Sequence, residues 1–498
     1  MKLGHPRPAT SRVTRRQIAL LLLITIAAVL VHGYHPAAED GELYLPGIKK
    51  DLNPSLYPFN DQFFMSHAHM TLFDEVIAAS VRISHLPFDW VIFLWHFGCI
   101  FLFLLGCWRV ARILFQDDIA AWGSVCLVAA LLTIPVAGTA LYIMDQYLTP
   151  RDLSTAGIML VIAEALGRRC WWAGIGIAII AVIHPLMAAF GVAFLFFLYI
   201  EERRSAPRNE SAAVGTMLIA LFPLSLQPAS GVYRRLLHTN DSYFLVVNWP
   251  WYEWLGIFLP LVLLWWTARY GRRHRLPQVT AISRALIVFE LVFFAVALLL
   301  CIPRLTGLAL LQPMRCLHLV FILLFILLGG IRGESILKTH VWRWIAVFAP
   351  LCLLMFLVQR QLFAASEHLQ LPGRAPKNVW VEAFDWARQH TPRDAVFAFN
   401  PRLVYRSGED EQGFRAIAER DQLADDKDAG VVVVAPWLAD RWAAQRNAQL
   451  NVDGMTDEER RAALVPLGAT WLLLPPDART DFPCPWQNTV VRVCRLVR

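Results

Sequence analysis

The sequence predicts an α-helical polytopic membrane protein with about eleven spans and a small C-terminal α/β domain. Three observations lead to this prediction. The 498 residues are 57% hydrophobic and only 17% charged, whereas soluble chains carry roughly 25% charged residues. The few charges lie in short clusters between long apolar blocks. After residue 374 the composition changes, and short strands alternate with helical patterns.

Each membrane span needs about 20 largely apolar residues, with a range of about 17 to 25. One apolar run, 171–200, is interrupted by His184-Pro185. Proline breaks or kinks a helix, so this run is either one long span or a hairpin of two. The predicted blocks are 17–34, 87–107, 118–136, 152–167, 171–184, 186–200, 211–227, 249–269, 281–302, 307–330 and 341–358.

The positions of the basic clusters favour the hairpin. Loops rich in Lys and Arg stay on the cytoplasmic side, and two crossings must then separate neighbouring clusters. The net charge of +7 comes from these clusters, which argues against nucleic acid as a partner. The predicted organisation is a cytoplasmic tail 1–16, a transmembrane domain 17–358 with a long first outer loop 35–86, and an exported α/β domain 375–498.

Two adjacent carboxylates, Glu39 and Asp40, follow the first span. They are either solvated loop charges or partly desolvated groups at the membrane surface. Desolvation would raise a carboxyl pKa and improve the group as a base. We prefer Asp40 for this role. The mixed polar and apolar stretches 41–50 and 67–84 predict interfacial helices.

Arg315 lies inside an apolar block. An intramembrane Arg costs about 2.5–3.5 kcal/mol on insertion scales and usually faces a polar cavity or partner. Either its guanidinium reaches the outer headgroups, or it binds a phosphate at the outer leaflet.

Further polar groups occupy other predicted outer loops. Asp145 and Arg151 are candidates for the mouth of a cavity, and Asp152 or Ser154 would cap the following helix. His184 lies at the tip of the hairpin, although a lone His before Pro is often structural. Polar groups from distant segments at one membrane face predict a cavity that opens there.

The C-terminal part predicts helices over 379–390, 438–449 and 456–464 and strands near 394–399, 431–434, 470–474 and 490–497, in a mostly parallel sheet. The charged stretch 414–427 is typical of a solvated face. No nucleotide-binding or nucleophile-elbow motif is present. Cysteine spacing predicts no zinc site, and export would permit a disulfide between Cys484 and Cys494.

Several segments carry a resemblance to known proteins: EDGELYLPGIKKDLNPSLYPFNDQFF (39–64), YLTPRDLS (147–154), AVIHPL (181–186), LLQPMR (310–315), and WARQHTPRDAVFAF (386–399) with the FRAIAER and DDK segments that follow. In these segments the chain is similar to an uncharacterised family of bacterial polytopic membrane proteins with a C-terminal domain of unknown function. The long first outer loop with its acidic pair, the many short spans and the exported C-terminal α/β domain also resemble the GT-C superfamily, polytopic glycosyltransferases that take sugars from polyprenyl-phosphate carriers. These resemblances imply a location in the bacterial inner (plasma) membrane, with the C-terminal domain periplasmic.

The resemblance implies an inverting transfer in which Asp40, with Glu39 beside it, accepts the proton of the acceptor hydroxyl. Arg315, and next Arg151, would hold the lipid phosphate, and Asp145 would fill the place of a second acidic motif. No cofactor is required, although neighbouring carboxylates would permit a divalent metal. The implied partners are the lipid bilayer, a lipid-phosphate sugar donor and an unidentified acceptor.

Two alternatives stay open at the level of sequence. A transporter or flippase would show inverted repeats and broken helices at the bilayer midplane, and only one proline-broken hairpin is visible. A non-catalytic envelope protein would bind a partner through its C-terminal domain.

Overall fold

The computed structural model describes residues 13–115, 117–205, 230–239, 242–374 and 377–497. The predicted span 211–227 lies outside these residues, and each other predicted block contains an α-helix. A short hairpin of β1 (Pro135–Val136) and β2 (Leu141–Tyr142) also lies in this part. The helices are α1 Arg15–His32, α2 Gly41–Leu52, α3 Gln62–Ala68, α4 Phe73–Ser84, α5 Phe88–Phe115, α6 Asp118–Ala130, α7 Pro150–Leu166, α8 Cys170–Ile183, α9 Pro185–Ser205, α10 Gly231–Thr239, α11 Leu255–Arg273, α12 Pro277–Leu300, α13 Cys316–Arg332 and α14 Val341–Leu362.

Within the described residues, six helical segments are long and apolar enough to cross a membrane. Large apolar side chains such as Leu23 and Ile345 point outwards from them, as lipid-facing side chains do. The chain is therefore a membrane protein, and the count of about eleven spans stays a prediction. The six segments are Arg15–His32, Phe88–Phe115, Pro185–Arg204, Pro277–Leu300, Thr306–Leu337 and Val341–Leu362.

The apolar run 171–200 is divided at His184. Helix α8 ends at Ile183, helix α9 begins at Pro185, and the two helices pack against each other. Proline lacks the backbone N–H that would continue α8, which explains the break at this position.

The elements of the C-terminal region are α15 Val379–His390, β3 Val396–Ala398, α16 Phe414–Ala418, β4 Asp421–Gln422, α17 Ala429–Val434, α18 Ala439–Gln449, α19 Asp457–Leu464, β5 Trp471–Leu474, β6 Trp486–Gln487 and β7 Arg492–Arg495. The strands form a five-stranded sheet in the order β4-β3-β5-β7-β6. Strand β3 pairs in parallel with β4 and β5, while β7 pairs antiparallel with β5 and β6. The sheet is therefore mixed, and the expectation of a mostly parallel sheet is wrong. A disulfide joins Cys484 to Cys494 on β7.

The strand predicted at 431–434 is instead part of helix α17. Three of its valines, 431 to 433, are buried in a cluster with Phe63 of α3, Tyr233 of α10 and Trp442 of α18. A short buried apolar run fits a strand or a helix equally well by pattern alone. Packing against three helices, rather than propensity, decides the conformation here.

The C-terminal region packs directly on the first loop. The Tyr57 hydroxyl donates to the Arg415 carbonyl at 2.9 Å, and Lys49 Nζ lies 2.8 Å from a Glu419 carboxylate oxygen. The loop and the C-terminal region therefore lie on the same side of the membrane-crossing helices.

The charged stretch 414–427 is not a solvated face, contrary to expectation. Arg415 and Asp428 are both 0% exposed in their side chains. Two guanidinium nitrogens of Arg415 donate to the two Asp428 oxygens at 2.8 and 2.7 Å. Buried charges require such pairing, so these residues stabilise the packing of the C-terminal region.

Candidate active site

Asp40 lies at the start of α2, where the first loop meets the C-terminal region. Its Oδ1 accepts a hydrogen bond from Lys427 Nζ at 2.9 Å, and its Oδ2 lies 3.8 Å from Arg151 Nη2. Burial by itself raises the pKa of Asp40, but the positive charges of Lys427 and then Arg151 outweigh burial and hold the pKa well below its usual range. The expected rise in pKa is therefore wrong for Asp40, which is ionised at neutral pH.

The adjacent Glu39, unlike Asp40, favours the neutral, protonated form. Its side chain accepts hydrogen bonds from the hydroxyls of Tyr147 at 3.1 Å and Tyr142 at 3.5 Å. Burial, and next the negative charge of Glu411, raise the pKa of Glu39 to about 8. Glu39 is mostly protonated at pH 7, so the pair consists of one neutral and one ionised carboxyl, a combination common in acid–base sites.

Arg151 lies in the first turn of α7 and forms a salt bridge with Asp145. The Thr149 hydroxyl donates to Asp145 at 3.2 Å. Thr149 and Asp152 also form a reciprocal capping box that starts α7. The guanidinium of Arg151 is thus fixed between Asp145 and Asp40 by the local structure of one turn.

Arg315 directly precedes helix α13. Among the residues that the structure describes, its guanidinium has neither a salt bridge nor a hydrogen bond. Its charge interacts through space with Tyr243, Arg151 and Asp40. An unpaired cation within an apolar segment is costly, and this one lies within electrostatic range of the ionised Asp40.

Two histidines complete this side of the site. His184 joins α8 to α9, and its Nδ1 accepts a 3.4 Å hydrogen bond from the Met187 backbone. It also lies within electrostatic range of Arg151 and Arg315. The bond to Met187 agrees with a structural role for His184, and its position near two cations agrees with a role in ligand binding. Burial, together with Arg315 and Arg151, lowers the pKa of His67 on α3 to about 4, so this side chain is neutral.

The structure brings together all the residues that the sequence proposes for a site. Sequence reasoning missed Lys427, Glu411 and His67. Lys427 belongs to a stretch that looks solvated, and no spacing rule connects it with Asp40. The proposed set is Glu39, Asp40, Asp145, Arg151, His184 and Arg315.

A cavity of about 390 Å³ lies beside Glu39. Its wall contains two further carboxylates, Glu253 and Glu411, together with aromatic side chains that include Tyr142 and Trp249. Polar groups on partly apolar walls are typical of small-molecule sites.

No group of three or more His, Cys, Asp or Glu side chains within the described parts of the chain is arranged to hold a metal ion. The oxygens of Asp40 face Lys427 and Arg151 instead.

Residues 378–442 match a domain of unknown function, DUF6798, in line with the resemblance noted for the C-terminal part. This segment contains Glu411 and Lys427. No curated protein matches the chain.

Both solved structures are of the oligosaccharyltransferase of Archaeoglobus fulgidus. The crystal structure of its complex with Zn and sulfate is 12% identical, covers 92% of this chain and 67% of that chain, and gives a TM-score of 0.49. The structure tethered by a disulfide bond to an acceptor peptide containing the NVT sequon is 11% identical, covers 92% and 69%, and gives a TM-score of 0.47.

Proposed function

We propose that this chain is a membrane-embedded inverting glycosyltransferase that moves a sugar from a polyprenyl-phosphate carrier to an acceptor. The observation that carries the proposal is the unpaired guanidinium of Arg315 in a site that also contains the ionised Asp40. A cation at membrane depth with no protein counter-ion suits an anionic ligand, and a guanidinium matches phosphate geometry well.

The donor phosphate would lie between Arg315 and Arg151. Apolar side chains of α7, α9 and α13 adjoin Arg315, among them Met159, Phe190 and Leu319. The apolar character of these side chains suits the hydrocarbon part of a lipid carrier. The two guanidiniums would then stabilise the charge that develops on the leaving phosphate.

Asp40 would be the general base. The acceptor hydroxyl gives its proton to Asp40, and its oxygen forms a bond to the anomeric carbon of the sugar. The bond between that carbon and the phosphate oxygen breaks, and its electron pair leaves with the lipid phosphate. The cavity beside Glu39 would receive the acceptor, since Glu39 directly precedes Asp40 in the chain.

Transfer would take place on the outer face of a bacterial inner (plasma) membrane, with the N-terminus cytoplasmic and the C-terminal domain periplasmic. The Cys484–Cys494 disulfide supports this orientation, because disulfides persist in oxidising compartments. The first loop, which packs on the C-terminal region, would lie on the same side.

A transfer assay in isolated membranes with radiolabelled polyprenyl-phosphate sugar tests the proposal. We expect Asp40→Asn to lower the rate by about 10²–10⁴-fold, as loss of a general base does. Asp61→Asn is the matched control, because Asp61 lies in the same loop and its carboxylate pairs with Lys50 at 2.8 Å rather than with a site residue. Equal transfer by Asp40→Asn and wild type would contradict the role of Asp40.

A further inference from the structure

We infer that Lys427 is the movable cation of this site. In the structure Lys427 neutralises Asp40. When the donor binds, the lysine side chain moves to the donor phosphate and frees Asp40 to accept a proton. The inference rests on the proposed function, since it assigns a further residue to the same phosphate site. It also makes the C-terminal region part of the catalytic centre.

The contact between Lys427 and Asp40 lies on the accessible side of the site. The Lys427 and Asp40 side chains are 16% and 28% exposed, whereas the side chain of Arg151 is 5% exposed. An arriving anion therefore meets the lysine before it meets Arg151. Arg151 has a second salt bridge, to the buried Asp145, whereas among the described residues Lys427 has its one salt bridge with Asp40 and interacts with Glu39 and Glu411 only through space.

The backbone that carries Lys427 is held firmly. Its N–H and that of Asp428 both donate to Asp425 Oδ1, at 3.0 and 3.1 Å. Asp428 is in turn fixed by the two hydrogen bonds from the buried Arg415. Only the side chain is left to move, and a lysine is a point charge on a flexible four-carbon stem.

The charges around Asp40 give such a movement a chemical effect. While Lys427 stays on Asp40, the carboxylate is a weak base, because the lysine is the strongest of the charges that lower its pKa. Transfer of the lysine to the phosphate removes this effect and adds a positive charge beside the leaving group. One displacement would thus strengthen the base and stabilise the leaving phosphate.

Binding of farnesyl phosphate to the full-length chain in nanodiscs tests the inference without requiring transfer. Farnesol and inorganic phosphate serve as comparison ligands, so that the contributions of tail and phosphate separate. We expect Lys427→Met to weaken farnesyl phosphate binding about 10- to 100-fold, the effect of one hydrogen bond to a charged group. Lys427→Arg keeps the charge and should recover most of this loss.

Lys49→Met is the matched control. Lys49 also joins the first loop to the C-terminal region, through its 2.8 Å salt bridge to Glu419, but its hydrogen bonds go to Ala416 and Glu419 and not to the residues of the site. We expect it to bind farnesyl phosphate as the wild type does. Equal losses in the two methionine variants would mean that Lys427 only fastens the two regions together, and would overturn the inference.

Kinetics give a second readout. In the transfer assay Lys427→Met should raise the donor KM about tenfold or more, with a smaller change in kcat. If the wild type binds farnesyl phosphate but transfers no sugar, the proposed function is overturned. A loss of farnesyl phosphate binding in Lys427→Met but not in Lys49→Met would in that case still support the role of Lys427 in phosphate binding. Unchanged binding in Lys427→Met, or no binding by the wild type, overturns the inference.

Discussion

The candidate site is built from two regions that hold their charges in different ways. In the membrane region, Arg315 has no counter-ion within the described residues, and Arg151 lies between Asp145 and Asp40. In the C-terminal region, the buried Arg415 is matched by the buried Asp428 in a two-fold hydrogen bond. The unmatched cation indicates ligand binding, whereas the matched pair indicates structural stabilisation. Removing a charge from each region should therefore have opposite consequences.

The largest expected effect is the loss of stability in Arg415→Met. This change leaves Asp428 buried and without its partner, which costs about 3–5 kcal/mol. Thermal unfolding of the detergent-solubilised protein measures it. Arg402→Met is the control, because the Arg402 side chain is 68% exposed and such surface changes usually stay within about 0.5 kcal/mol. Similar melting temperatures for the two variants would show that the Arg415–Asp428 pair is not needed for folding.

The next effect is the loss of activity without loss of stability in Arg315→Met. We expect transfer to fall about 100-fold, because a charged hydrogen bond to the donor phosphate is lost. The melting temperature should stay the same or rise, since an unpaired charge leaves the membrane interior. Arg332→Met, at the other end of α13, should keep wild-type transfer. A clear drop in stability for Arg315→Met would mean that Arg315 has a structural partner.

A smaller effect concerns pH. Because the pKa of Glu39 is raised from 4.5 to about 8, its neutral form stabilises the fold below pH 4.5, and this contribution is lost as pH rises through 8. Ionisation near pH 8 also adds a negative charge beside Asp40. We therefore expect the donor KM to rise several-fold between pH 7 and 9. Glu39→Gln should give a flat profile, and a wild-type profile that is equally flat would contradict the prediction.

The smallest effect concerns the disulfide in the C-terminal region. Of the nine cysteines, seven are free and two form the Cys484–Cys494 bond. A thiol titration under denaturing, non-reducing conditions should count seven thiols in protein made with export to an oxidising compartment. Nine thiols would exclude the bond and weaken the argument for a periplasmic C-terminal region.

The same two regions differ in how far the sequence predicts them. Arg151, Arg315 and Asp40 stand out because charges are rare in and beside apolar blocks, so each one needs a physical reason. Lys427 does not stand out, because its neighbours are charged and burial in a folded domain cannot be read from composition. The wrong pKa direction for Asp40 has the same origin, since it depends on the missed lysine.

The length and apolar character of the segments predict the helices of the membrane region, and Pro185 predicts the break at His184. The sequence does not predict the conformation of 431–434, because its apolar run fits both a strand and a helix until the packing partners α3 and α10 are known. Local sequence patterns thus predict most helices of the membrane region. The interface between the membrane region and the C-terminal region depends on long-range packing, which local patterns do not show.

The dependence of the site on Lys427 has a consequence for biosynthesis. The ribosome makes the first loop early and the C-terminal region last. Asp40 therefore leaves the ribosome long before its counter-ion exists, and a prematurely terminated chain that inserts in the membrane has an incomplete site. Under the proposed function, a product that stops before Lys427 binds the lipid-linked sugar more weakly, and only a chain translated past this residue contains the complete site.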